Sequence, residues 1–365
     1  MSIYWFLYAF PIVGHLLAPQ LTPRQERLLW LTLTSAWILV IGLREDIGCD
    51  WNTYLAHFNN IEHQFFGRQN ASDPVFSFLK FISQWFTGRG NDPGYTLLIL
   101  ISSKVGSGIY GVNLISAAII VGSLSMLCRK MALPWIAWLV ATPYFLIVVS
   151  MGYSRQAIAV SLTMLGFAYL QQNQNRKFVG LILLAVCFHK SAAFFLPIAL
   201  LILPSRFFSS RWFFVLATGL VVVILFLARA QFYSYIGGLW ESQGAIIRAA
   251  MNLLPGLLII FTSRRTEFRG LMSSIWIILS WIAILFFLFA SFATTPIDRI
   301  GIYLISLQIF AASHFPIWWK QGSYQHLLTA AIISLYGLVQ FTWLTFAHNR
   351  HCWREYKNIL FLFFS

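Results

Sequence analysis

Apolar runs recur along the whole chain, at roughly residues 2–17, 28–43, 108–127, 133–150, 156–170, 178–188, 191–203, 212–229, 248–261, 271–292, 300–318 and 326–346. This array constrains the fold more than any other feature, because about 20 apolar residues are enough to cross a bilayer as a helix. Several runs fall short of that length. Composition agrees with the array. Of 365 residues, 59% are hydrophobic and only 10% charged, and mean hydropathy is +0.72. A soluble domain carries about 25% charged residues. The expected fold is an all-α polytopic integral membrane protein, a single transmembrane domain over residues 1–365 with about 12–14 transmembrane helices. The count turns on PVFSFLKFISQWF (74–86) and YTLLILI (95–101), which read either as a membrane hairpin or as an interfacial pair. No internal repeat, soluble domain or low-complexity linker is visible.

The net charge is +14, yet Lys and Arg stand singly or in pairs between apolar runs. Nucleic-acid binding needs a concentrated basic face, so it is set aside; anionic headgroups and anionic substrates fit better. The four cysteines (Cys49, Cys128, Cys187, Cys352) lack metal-ligand spacing and read first as free thiols, although Cys49 and Cys352 share a compartment in the topology below and a disulfide between them is open. MSIYWFLYAF has no basic n-region and no small-residue cleavage site, so it reads as a first span.

An external N-terminus puts Arg24/Arg27, Arg129/Lys130, Arg176/Lys177, Arg206/Arg211 and Arg264/Arg265/Arg269 inside, as the positive-inside rule requires. Residues 44–107 then form a polar external loop after the second helix. External cations stand beside acids, Arg44 near Asp46 and Arg299 next to Asp298, which marks a site and not an orientation signal. This topology requires FVGLILLAVCFHKSAAFFLPIALLIL (178–203) to be two short segments meeting at His189 and Lys190. One continuous span would invert everything downstream.

Five polar stations fall on the external face: Arg44/Asp46/Asp50/Tyr54, Asp73, Tyr153/Arg155, His189/Lys190 and Asp298/Arg299/Tyr303. Fixed cations at a membrane surface suit a phosphate or pyrophosphate, with arginine supplying a fork of hydrogen bonds. A nearby carboxylate or histidine can take a proton from a hydroxyl nucleophile. No phosphate loop, dinucleotide turn or HExxH occurs, so neither a nucleotide cofactor nor a zinc ion is expected.

GLREDIGCDWNTY (42–54) resembles the G-x-R-x-x-x-G-x-D-x-x-x-Y signature of the EpsG-like, Wzy-type exopolysaccharide and O-antigen polymerases, through Gly42, Arg44, Gly48, Asp50 and Tyr54. YSRQAIAVSL (153–162), FHKSAAFFLP (188–197), DRIGIYLI (298–305) and WREYKNIL (353–360) resemble later elements of that family, in order along nearly the whole chain. SDPVF (72–76) departs from it by carrying Asp before Pro where the family leads one to expect Glu. The resemblance implies polymerisation of undecaprenyl-pyrophosphate-linked oligosaccharide repeat units at the periplasmic face of a bacterial inner membrane. The implied enzyme is a multi-pass, metal-independent glycosyltransferase with the lipid-linked glycan as substrate, membrane lipid around it and a chain-length-regulating co-polymerase as a further partner. Arg44, Arg155, Lys190 and Arg299 are then expected to hold pyrophosphate, and Asp50 or His189 to act as base. Tyr54, Tyr153 and Tyr303 are expected to line the sugar path, and Asp298 to orient Arg299. A lipid-linked-glycan flippase and an O-antigen ligase are the alternatives. A flippase should spread its cations along a central cavity, and a ligase would share the donor and differ only in acceptor.

Overall fold

A computed structural model describes residues 2–66, 92–202, 218–219, 242, 244–263, 271–318 and 323–362. The protein is an all-α polytopic membrane protein, as its composition demands. Among the described residues, six helical stretches are long and apolar enough to cross a membrane: Ser2–Gln20, Gly108–Cys128, Pro134–Gly152, Ala245–Thr262, Thr294–Trp318 and Tyr324–Phe346. Their outward faces carry exposed leucines and phenylalanines, such as Leu254, Leu327, Leu338 and Phe341, a pattern soluble monomers avoid. Helices also form over Pro23–Gly42, Trp51–Phe66, Pro93–Val105, Ser154–Leu170, Asn175–Phe188 and Leu271–Phe289. The expected segment at 74–86, that at 212–229 apart from residues 218–219, and the clusters Arg206/Arg211 and Arg264/Arg265/Arg269 lie outside the described residues.

Local sequence explains the helix ends. Thr22 caps Pro23–Gly42 in a reciprocal box: its hydroxyl accepts from Gln25 N, and Gln25 Oε1 accepts from Thr22 N at 2.9 Å. Pro23 at the first position loses no hydrogen bond there. The 178–203 run breaks where HKS interrupts it. The helix Asn175–Phe188 ends, His189 is extended (φ −159°, ψ 126°), and a 3-10 turn over Lys190–Phe195 leads into Leu196–Leu201.

The chain divides into two compact units, residues 1–70, 96–161 and 309–365 in the first and residues 71–95 and 162–308 in the second. In the first, Trp30 stacks on Trp135 at 4.4 Å and meets Trp138 edge-on at 5.4 Å, so the tryptophan-rich start of Pro134–Gly152 anchors the core. That stretch is almost wholly buried and winds as a π-helix over Thr142–Val149. In the second, Phe167 gathers Phe178, Phe195 and Trp276 within 6.0 Å. There Asn252 Nδ2 donates to the Gly301 carbonyl (3.0 Å) while its Oδ1 accepts from Gln308 Nε2 (2.7 Å), satisfying polar groups that an apolar interior would otherwise penalise.

Candidate functional site

In the first unit the polar chemistry begins where Pro23–Gly42 ends. The last carbonyls of any helix have no partner inside it, and here distant residues supply one. Tyr356 OH donates to Val40 O (2.8 Å), Asn358 Nδ2 to Leu39 O (3.2 Å) and Ile359 N to Leu43 O (3.0 Å). Arg44 supplies a further donor, from Nη1 to Ile41 O, and its Nη2 reaches Ser154 Oγ at 2.9 Å. Only 2% of Arg44 is exposed, and its guanidinium lies 5.9 Å from the Trp51 ring. Arg44–Glu45 pairs antiparallel with Lys357–Asn358, Arg44 opposite Asn358. The C-terminal segment thus closes on the signature loop as a short ladder.

Beyond the ladder the loop turns twice through left-handed backbone, at Asp46 (φ 51°) and Gly48 (φ 95°). Gly48 N donates to Cys352 O at 2.9 Å, and a Cβ at Gly48 would lie 2.5 Å from Met151 O. Conformation and space both demand glycine there. Cys49 and Cys352 are joined by a disulfide across 303 residues. The expectation of free thiols is corrected at these two, because the ladder and the Gly48 bond bring the cysteines face to face; Cys128 and Cys187 are free. Among the described residues Cys49, His351 and Cys352 are the one trio close enough to share a metal, and its sulfurs are bonded to each other.

Asp50, half-buried, leads into Trp51–Phe66, its carbonyl accepting from Tyr54 N at 2.9 Å. Tyr153 breaks the chain direction between Pro134–Gly152 and Ser154–Leu170 with φ −128° and ψ 54°. The break exposes part of Arg155, whose guanidinium lies 5.6 Å from the Tyr54 ring centre, within cation–π reach. One turn beyond Tyr54, His57 feels the same guanidinium. Burial first and Arg155 second push its pKa down to about 4.

The second unit carries the other stations. Ser191 Oγ lies 2.6 Å from His189 Nδ1 and 3.0 Å from Tyr303 OH, linking the two predicted residues through a third. Lys190 is half-buried; burial lowers its pKa, and the Asp92 carboxylate counteracts that. Asp298, expected to orient Arg299, is bound by Arg248 Nε and by Ser242 Oγ (2.7 Å), and Arg248 Nη2 also reaches Ser242 Oγ at 2.8 Å. The reason is geometric: successive residues on the helix Thr294–Gly301 do not face each other, so the partner comes from another helix. Arg299 is half-buried one residue on. Asp73 lies outside the described residues.

The structure therefore brings Arg44 to Ser154 and Trp51, Arg155 to Tyr54 and His57, and His189 to Tyr303. Sequence reasoning missed Ser154, His57, Arg248 and Asp92. Asp92 was readable: it is an acid directly before Pro93, at the start of an apolar helix, where Asp is a preferred cap.

Against this geometry, the EpsG family profile matches residues 27–358. The chain belongs to the EpsG family. No curated protein and no solved structure matches it. In this EpsG-family protein the match ends at Asn358, the residue paired with Arg44 in the ladder. The last matched residue thus closes on the first signature cation.

Proposed function

We propose that this EpsG-family protein polymerises undecaprenyl-pyrophosphate-linked oligosaccharide repeat units at the periplasmic face of the inner membrane. A hydroxyl at the non-reducing end of the incoming unit attacks the anomeric carbon of the growing glycan. The bond from that carbon to the pyrophosphate oxygen breaks as the new glycosidic bond forms. Asp50 takes the hydroxyl proton, and undecaprenyl pyrophosphate leaves with the electron pair. Arg155, Lys190 and Arg299, each partly open to ligand, meet its charge. Arg44, already engaged with Ile41 and Ser154, holds the Asp50 loop and adds its charge to the field. Tyr54 and Tyr153 border the sugar path. Tyr303 fixes Ser191 and, through it, His189, which holds the acceptor sugar. Arginine and lysine supply the positive charge, so the reading calls for no metal. A chain-length-regulating co-polymerase is the protein partner it would accommodate.

The observation that carries this reading is the family match over residues 27–358, with its signature residues at polar breaks between apolar helices. A gene deletion viewed by polysaccharide gel tests it. Single-repeat glycans on the final acceptor are expected. Loss of all surface glycan with lipid-linked units trapped inside would indicate a flippase, and full-length lipid-linked polymer a ligase.

A further inference from the structure

Asp92 is only 7% exposed, although an aspartate is rarely this buried unless its charge is met. The residue directly precedes the helix Pro93–Val105. Two positions later Gly94 rests on the end of the helix Asn175–Phe188, where a Cβ would lie 3.1 Å from both the Cys187 carbonyl and the Phe188 ring. The close contact seats the start of one helix on the terminus of the other, at the break that releases His189 and Lys190. Asp92 interacts electrostatically with Lys190, Tyr303 and Cys187. The Tyr303 hydroxyl is in turn tied through Ser191 to His189.

We propose that Asp92 is a positioning residue, its carboxylate holding the Lys190 ammonium charged and in place as the cation that receives the donor pyrophosphate. This rests on the polymerase reading above. A half-buried lysine with no counter-charge sheds its proton more readily than an exposed one. A lysine that feels a fixed carboxylate stays a cation, and Asp92 never needs to touch substrate. Cys187 and Tyr303 also feel the Asp92 carboxylate, and His189 adjoins Lys190 in the chain. Cys187→Ser serves as the control for a thiol contribution at alkaline pH.

Full-length protein in nanodiscs gives two separate readouts. The first is competitive labelling of the Lys190 amine with an acylating reagent across pH, followed by mass spectrometry. Asp92→Asn should move the onset of labelling lower by about one pH unit, a roughly tenfold gain in reactivity at fixed pH, and Asp92→Glu should restore most of the wild-type curve. The second is affinity for undecaprenyl pyrophosphate. Asp92→Asn should lose up to about fivefold at pH 8.5 and less at pH 6.5. Lys190→Arg in the same background should abolish this pH dependence, because a guanidinium keeps its proton. Unchanged Lys190 labelling in Asp92→Asn, or equal loss of affinity at both pH values, overturns the proposal, as does an Asp92→Glu variant no better than Asn. A labelling curve shifted in Asp92→Asn, together with wild-type protein that does not bind undecaprenyl pyrophosphate, would keep the coupling of Asp92 to Lys190, and would sink both the polymerase reading and the role assigned to the pair.

Discussion

His57 sits one helical turn past Tyr54, and its neutrality follows from burial and from the Arg155 guanidinium, which hold its pKa near 4 against an ordinary value near 6.5. Between those values the folded protein binds fewer protons at this position than the unfolded chain. Its contribution to stability is therefore complete above about pH 6.5 and is lost as pH falls towards 4. His57→Gln should flatten that acid loss by on the order of 2 kcal/mol, read as the difference in thermal midpoint between pH 7 and pH 4.5 in detergent. Equal acid loss in both proteins would show that His57 is not the group responsible. A second residue-scale prediction concerns the base. Asp50→Asn should abolish chain growth while leaving lipid-linked substrate bound, whereas His189→Gln, whose ring is already held by Ser191, should leave partial activity. The reverse pattern in a membrane polymerisation assay would move the base to His189.

At the scale of elements, the C-terminal segment works as a clamp. Trp353 is 1% exposed, donates from Nε1 to Ile147 O at 3.0 Å within the π-helical stretch, and accepts at its carbonyl from Tyr4 OH at 3.1 Å. Its ring meets Trp343 edge-on at 4.8 Å and fills the space where Gly152 has no side chain. Trp353→Ala should lower stability by about 3–5 kcal/mol, and Trp353→Phe by about 1–3 kcal/mol because the Ile147 carbonyl loses its donor. Fluorescence-detected thermal unfolding compares the two, and a Trp353→Phe midpoint equal to that of wild type would deny the hydrogen bond its part. Much of this element was hidden from the sequence for a physical reason. An apolar run announces a helix through its neighbours, so the long apolar helices among the described residues, the break at His189 and the polar motifs were legible, whereas Trp51–Phe66, with polar residues throughout, was read as loop. The ladder of Arg44–Glu45 with Lys357–Asn358 joins residues more than 300 positions apart and leaves no local pattern. Separations of 110 and 50 positions likewise hid the Arg44–Ser154 bond and Arg248 as the partner of Asp298.

For the whole molecule, the disulfide between Cys49 and Cys352 ties the fold to a compartment. Disulfides persist where the surroundings are oxidising, so both ends of this bond belong on one side of the membrane, and under the proposed topology that side is the periplasm. The helices between them must then return the chain to the side from which residue 49 departs. Thiol labelling of intact cells and non-reducing electrophoresis check this together. The protein should run as an internally bonded species, with Cys49 and Cys352 blocked until reduced, and reporters near residues 189 and 298 should score outside. Cys49→Ser, Cys352→Ser and the double variant each remove the same single bond, so all three should lose the same stability, about 2–5 kcal/mol. The loss should appear chiefly as a looser signature loop, because Gly48, Cys49 and the Arg44 ladder all meet the C-terminal segment there. Reduced thiols at both positions in fully folded protein, or a reporter at residue 189 scoring inside, would separate the two ends of the chain and remove the periplasmic placement on which the proposed reaction depends.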